Sequence, residues 1–241
     1  MTGKRGDREM NAKRGYVPDD DRNFSTESLE LLKTASRHVL FLINEGYDLK
    51  QSITFVGNHY LLSERQRLAI MRSVATKEQL EKRKTSQMVF HQLSDRTVWI
   101  DGFNTIITLE VMLSDSILFS CMDGAIRDLA SLRGTYRIID VTEPAVRLAL
   151  ETLEEAGASA VKLLLDQPVS NSGRLKALIT DVSQENHLMT DVIIQKDVDR
   201  LLYQKENVIT SDSVILDHCT SWFNLAEVCL GKLKKASLKV W

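Results

Sequence analysis

The chain has 241 residues, 43% of them hydrophobic, with three prolines and eleven glycines; this length allows one or two domains, and the composition excludes a disordered or fibrous chain. Its apolar runs fall short of the roughly 18 residues that span a bilayer, and the charged N-terminus lacks the apolar stretch of a secretory signal, so no membrane partner is expected. The formal net charge of −2 conceals an asymmetry: residues 1–97 hold 17 Lys and Arg against 13 Asp and Glu, and residues 98–241 hold 14 against 20, which suggests a polyanion-facing half joined to a half with surplus carboxylates or, more plainly, two differently solvated surfaces.

Residues 1–24 mix Gly, Arg, Lys, Asp and Asn with almost no apolar side chains, which predicts a disordered tail. From Ser25 to about residue 85 the pattern is helical. Leu29, Leu32, Ala35, Val39 and Leu42 recur at spacings of three and four, with Gly46 as a stop. A second helix is expected after Asp48, a good N-cap, through Ile53 and Val56. Ser63 and Gln66 make a capping-box pattern ahead of a third helix carrying Leu68, Ile70, Met71 and Val74, and a short fourth begins near Thr76. Residues 25–93 thus read as a small all-α module. Arg65, Arg67 and Arg72 lie on the third helix, where they could contact nucleic-acid phosphates. The plainer alternative is an exposed helix face with pairing acids such as Glu64 and Glu81.

Near residue 94 the grammar changes to alternating strand and helix. Residues 98–100 form a short apolar strand running into Asp101, and residues 104–113 look helical. Residues 114–136 resist assignment. A helix over 143–156 ends at Gly157. The apolar run 160–165 ends at Asp166, and a helix follows over 174–185. Further strands are expected at 192–194, 207–210 and 222–225, with a short helix before Cys219. This order predicts an α/β domain over residues 94–241, with a Rossmann-like, mostly parallel sheet and helices on both faces.

Ligands bind outside the carboxyl ends of strands in such sheets. Three strands here finish with an aspartate: Asp101, Asp166 and Asp212. Converging carboxylates repel one another, and the usual relief is a hard cation, Mg²⁺ or Mn²⁺, held through one or two carboxylates together with substrate phosphate. Each aspartate alone reads more readily as a turn or N-cap residue; it is three at one edge that favour a shared site. Asp217 and Asp128 are further candidate ligands, and Arg127 could meet a phosphate. Ser170, Asn171 and Ser172, ahead of Gly173, could hold a phosphate at a helix N-terminus or simply cap that helix. The chain lacks the Gly-x4-Gly-Lys-Ser/Thr loop, the dinucleotide-binding glycine pattern, Gly-x-Ser-x-Gly and His-Glu-x-x-His. Its five histidines show no ligand spacing. Cys121, Cys219 and Cys229 give neither a disulfide framework nor a zinc pattern, which fits a reducing cytoplasm.

The strings Ile100-Asp-Gly-Phe-Asn104 and Val208-Ile-Thr-Ser-Asp212 resemble the PIN-like nuclease superfamily, including its NYN branch. That resemblance implies a PIN-type sheet in which Asp101 and Asp212 are metal ligands, Asn104 supports the site, Ser211 orients the turn and Asp166 is the central-strand acid. It also implies a further acid within residues 110–128, for which Glu110, Asp123 and Asp128 compete. With Arg65-Gln-Arg67, Arg127-Asp128, residues 166–173, Ile215-Leu-Asp217 and Trp222-Phe-Asn-Leu225, the chain further resembles, over about residues 25–230, an uncharacterised prokaryotic family, common in archaea, that joins a helical module to a PIN-like domain. The expectation is a divalent-metal-dependent nuclease acting on RNA, compatible with a homodimer. The alternatives are an RNA-binding adaptor that does not cut and another phosphate-handling hydrolase.

Overall fold

A computed structural model of the chain describes residues 13–130, 134–185 and 187–241. The described part of the expected tail, residues 13–24, is packed rather than disordered. A short helix, α1 (Asp20–Asn23), lies there. Arg65 grips both oxygens of Asp20 at 2.8 and 2.7 Å and the carbonyl of Gly15 at 2.9 Å, while Arg14 reaches Glu110 at 2.7 Å. Long-range ion pairs hold what a shortage of apolar residues would leave loose. Residues 1–12 lie outside the described residues.

The module's other helices start at the capping residues. Ser25 accepts from the Ser28 N–H ahead of α2 (Thr26–Asn44), and Asp48 from the Gln51 N–H ahead of α3 (Leu49–His59). Reciprocal capping boxes open α4 (Glu64–Ser73), at Ser63 and Gln66, and α5 (Lys77–Ser86), at Thr76 and Gln79; each satisfies two orphan donors. Leu32, Val39, Ile53, Val56 and Ile70 form their core, but the same cluster takes in Phe119, Cys121, Leu129 and Val240 from the far part of the chain. The helices therefore pack onto the α/β part through a shared core.

The α/β part begins with β1 (Gln87–Met88) and β2 (Thr97–Asp101), then α6 (Gly102–Leu113). The unassigned stretch holds a two-stranded antiparallel hairpin, β3 (Leu118–Ser120) and β4 (Ile126–Asp128). There follow α7 (Thr142–Glu155), β5 (Ala160–Asp166), α8 (Ser172–Ser183), β6 (Met189–Gln195), α9 (Val198–Leu202), β7 (Val208–Ile209), α10 (Ser213–His218), β8 (Trp222–Phe223) and α11 (Leu225–Lys232). The main sheet has six strands in the order β1-β8-β7-β2-β5-β6, every pairing parallel. Helices cover both faces, α6 and α8 on one side of β5 and α9 on the other. This is a Rossmann-like α/β fold. From β2 the chain winds outward through β5 and β6, then returns to β7 on the other side of β2. That switch point is where a doubly wound sheet leaves a crevice. Among the described residues no helix is long and apolar enough to cross a membrane.

Candidate functional site

Four adjacent strands of this sheet each deliver one acid to the same edge. β2 ends at Asp101, and α6 starts at the very next residue, with no loop. Gly102 makes that possible, because a Cβ there would stand 2.6 Å from both Leu163 Cδ2 and Leu164 O. Asp101 thus occupies the N-cap position of α6, yet its side chain makes no capping bond. Instead its Oδ2 accepts from Thr210 Oγ1 at 2.8 Å, and no other protein donor reaches the carboxylate among the described residues. Asp101 pairs in register with Leu164, so Asp166, two residues on, shares its face about 6.6 Å further along the strand direction. Asp212 follows β7 and does cap a helix: its Oδ1 accepts from the Val214 and Ile215 N–H groups at 2.8 and 3.1 Å. Asp199 sits in the first turn of α9, just beyond β6.

Asp128 enters from the end of β4. Its Oδ2 accepts from Thr108 at 2.7 Å and its Oδ1 from the Ala130 N–H at 2.7 Å. These five aspartates, with Asn104, Arg72, Phe103, Ile107 and Ala130, line one cleft of 370 Å³. Among the described residues Arg72 is its one cationic lining residue. Asp101 is only 5% exposed, and burial, reinforced by the charges of Asp212, Asp199 and Asp166 and opposed by the Thr210 bond, pushes its carboxyl up to about 8. Burial also raises Asp166, with Asp197 adding to the effect, and raises Asp199, with Asp212 and Asp166 adding. The cleft is therefore a place where negative charge is crowded and underpaid by protein cations.

A web of neutral contacts holds the turn that carries Asp212. Asn104 Oδ1 accepts from the Ser211 N–H at 2.8 Å and from Ser211 Oγ at 2.9 Å. Thr210 Oγ1 accepts from the Asp212 N–H at 3.0 Å while donating to Asp101. From behind, Arg127 Nε donates to the Ser211 carbonyl at 2.6 Å.

Several residues singled out from the sequence stand elsewhere. Arg127 does not face the cleft; it makes two bonds to Asp123 at 2.9 and 2.6 Å in the interior. Asp217 does not reach it either, because Arg83 binds both of its oxygens at 2.7 and 2.9 Å and Gln79 donates at 2.8 Å. Ser170 and Asn171 bind the backbone of Tyr136 at 3.1 and 2.7 Å and, with Ser172 in the first turn of α8, do not line the acidic cleft. Arg65 is committed to Asp20, Leu129 O and Gly15 O, and Arg67 to Leu62 O, Thr54 O and Asn58. Neither guanidinium is a free nucleic-acid contact. Of the three competing acids, Glu110 is fully buried with Arg14, Tyr136 and Thr142 and Asp123 belongs to the arginines, which leaves Asp128 in the cleft. Asp199 went unnamed from the sequence. Its signal was present, since Asp197-Val-Asp199 directly follows the β6 run.

A profile described as "Domain of unknown function (DUF5616)" matches residues 90–228, and one described as "Protein of unknown function (DUF434)" matches residues 31–85. The chain is similar to "Uncharacterized protein MJ0935" of Methanocaldococcus jannaschii, at 34% identity over 185 residues, which is 77% of this chain and 88% of that protein. No solved structure matches it.

Proposed function

We propose that this chain, which belongs to the family described as "Domain of unknown function (DUF5616)", hydrolyses phosphodiester bonds of RNA at the acidic cleft with the help of Mg²⁺ or Mn²⁺. The observation that carries the reading is the delivery of Asp101, Asp166, Asp199 and Asp212 from four neighbouring strands to one cleft. The lining donors are oxygens, without thiolate or imidazole, which suits a hard cation. Such a cation takes one or two carboxylates and completes its shell with water and substrate. The site therefore needs no ready-made cage of three ligands, and among the described residues there is none.

Asp101, with one oxygen unclaimed among the described residues, and Asp166 on the neighbouring strand would hold the cation. When bound, it would supply an activated water and stabilise charge developing at phosphorus. Asp199, raised by burial and by Asp212 and Asp166, is suited to accept a proton from the attacking water. Asn104 and Thr210 fix the Ser211-Asp212 turn against Asp101. The choice of RNA rests on the resemblance of Asp101-Gly-Phe-Asn104 and Ser211-Asp212 to the PIN-like nucleases. A cytoplasmic setting fits the free thiols Cys121, Cys219 and Cys229, all buried.

One observation favours RNA binding without cleavage: Asp128 and Asp212 already spend oxygens on protein N–H groups. Incubation of labelled single-stranded RNA with Mn²⁺ or Mg²⁺ separates the two. Hydrolysis that stops in EDTA and in Asp101→Asn supports the hydrolase. Cleavage indifferent to both overturns it, and metal-independent binding with no turnover supports the adaptor.

A further inference from the structure

We infer that Arg72, carried by the helical module, anchors a phosphate of the RNA strand at the wall of the acidic cleft, so that the binding site is built from both parts of the chain. The inference rests on the proposed function for the identity of the strand, and on its own observations for the role of Arg72.

The three arginines of α4 differ in what their guanidinium groups touch. Arg65 makes two bonds to a carboxylate and two to carbonyls, and Arg67 lies against Gly57, where a Cβ would stand 2.8 Å from its Cζ. Arg72 is fixed mainly by carbonyls. Its Nη1 donates to Asp128 O, and its Nη2 donates to Ala130 O at 3.2 Å. Its closest carboxylate approach, to Asp128 Oδ1, is a long 3.4 Å. Asp128 meanwhile has shorter partners on each oxygen, in Thr108 and the Ala130 N–H. Carbonyl contacts orient a guanidinium without neutralising it, and they leave donors to spare. The Arg72 side chain is 31% exposed and lines the cleft together with Asp101, whose Oδ2 binds Thr210 and whose Oδ1 has no protein donor among the described residues.

A fixed cation among five acids would serve no purpose toward a bare metal ion, which it repels. It makes sense toward a ligand that brings its own negative charge along with the metal. A phosphodiester does so, and a planar guanidinium pairs with phosphate oxygens through two parallel bonds. The residues matching one family description supply the acids, within 90–228, and those matching the other supply Arg72, within 31–85.

The test uses the full-length chain and two ligands measured separately. Arg72→Gln keeps an N–H donor for the carbonyls of the hairpin and removes the charge; Arg72→Lys keeps the charge and removes the fork. Binding of a 5′-phosphorylated, fluorescent single-stranded hexaribonucleotide is followed by anisotropy in Ca²⁺, and Mn²⁺ binding by electron paramagnetic resonance. The loss of a charge-assisted contact should weaken RNA binding by about tenfold or more in Arg72→Gln, with a smaller loss in Arg72→Lys. Mn²⁺ binding should move the opposite way and tighten in Arg72→Gln, because a repelling charge has gone. RNA affinity unchanged in Arg72→Gln overturns the inference, as does a parallel loss of both ligands, which would mean that Arg72 only supports the cleft. Arg72-dependent RNA binding without cleavage in any divalent metal overturns the hydrolase and keeps the inference. Cleavage with unaltered KM in Arg72→Gln keeps the hydrolase and overturns the inference.

Discussion

Replacing Asp101 by Asn should make the metal-free protein more stable at pH 8, although it removes a residue central to the proposed site. Asp101 is almost fully buried, with Thr210 as its single hydrogen-bond partner among the described residues and Asp212, Asp199 and Asp166 nearby, and its carboxyl is pushed up to about 8 from the ordinary 3.8. The folded state therefore keeps a proton that the unfolded chain has released. Below about pH 4 both states are protonated and the group costs nothing. As pH rises from there toward 8, the unfolded chain gains by ionising and the folded one does not, so stability falls across this window. At about 1.4 kcal/mol per unit the ceiling is on the order of 5 kcal/mol above pH 8, and local relaxation reduces it to a few. Asn keeps an acceptor for Thr210 and has no charge to lose. Urea denaturation in EDTA at pH 5 and pH 8 measures the effect. The wild type should lose stability between the two, Asp101→Asn should lose clearly less, and the mutant midpoint at pH 8 should be higher by about 1 M, given a slope of 1–3 kcal/mol/M. A mutant less stable than wild type at pH 8, or equal pH slopes, would refute the reasoning. Mn²⁺ should then reverse the order, because a ligand that binds only the folded state stabilises it by mass action.

Asp123→Ala leaves the buried guanidiniums of Arg83 and Arg127 without the carboxylate they share, and a loss of about 3–5 kcal/mol is expected in chemical denaturation. Gly102→Ala places a methyl against Leu164 O and two leucine side chains; overpacking should cost about 1–3 kcal/mol, and the shift of Asp101 should weaken Mn²⁺ binding measured by titration. Arg65→Ala releases Gly15 and Asp20, and with them residues 13–24, from α4, at about 1–3 kcal/mol. It should open that segment to limited proteolysis while RNA affinity stays unchanged, and a fall in RNA affinity would restore Arg65 as a nucleic-acid contact.

The elements that were legible share a local cause. Ser25, Asp48, Ser63 and Thr76 cap their own helices through side chains, and runs such as 160–165 carry their strand signal within a few residues. Asp101, Asp166 and Asp212 were placed at one edge because a parallel sheet converts strand ends into neighbours. What was not legible depends on partners distant in the chain. The hairpin of β3 and β4 has strands of only three residues, and its stability comes from burial of Phe119 and Leu129 against the module. Arg65, Arg67 and Arg127 look identical to solvent-exposed cations in the sequence, and only the fold shows which carbonyls and carboxylates they meet. Capping and clustering also proved compatible at one residue: Asp212 caps α10 with one oxygen and still lines the cleft.

The same separation of local from distant causes explains how crowded aspartates are held in place at all. Asp212 would be driven away from Asp199 unless its turn were fixed by contacts that carry no net charge of their own at the cleft. Asn104 and Arg127 supply them, gripping the N–H and hydroxyl of Ser211 from α6 and its carbonyl from β4. Arg127 is in turn neutralised by Asp123, and Asp123 by Arg83, which also binds Asp217 at the end of α10. The positive charge that could have quenched the cleft is thus consumed behind it, in a buried network running from the module's α5 through the hairpin to both ends of α10. A buried network of this kind is weak evidence for added stability. Its placement gives it a different use: it ties α5, the hairpin and the Ser211-Asp212 turn together by hydrogen bonds made behind the cleft, and so holds Asp212 beside the other acids.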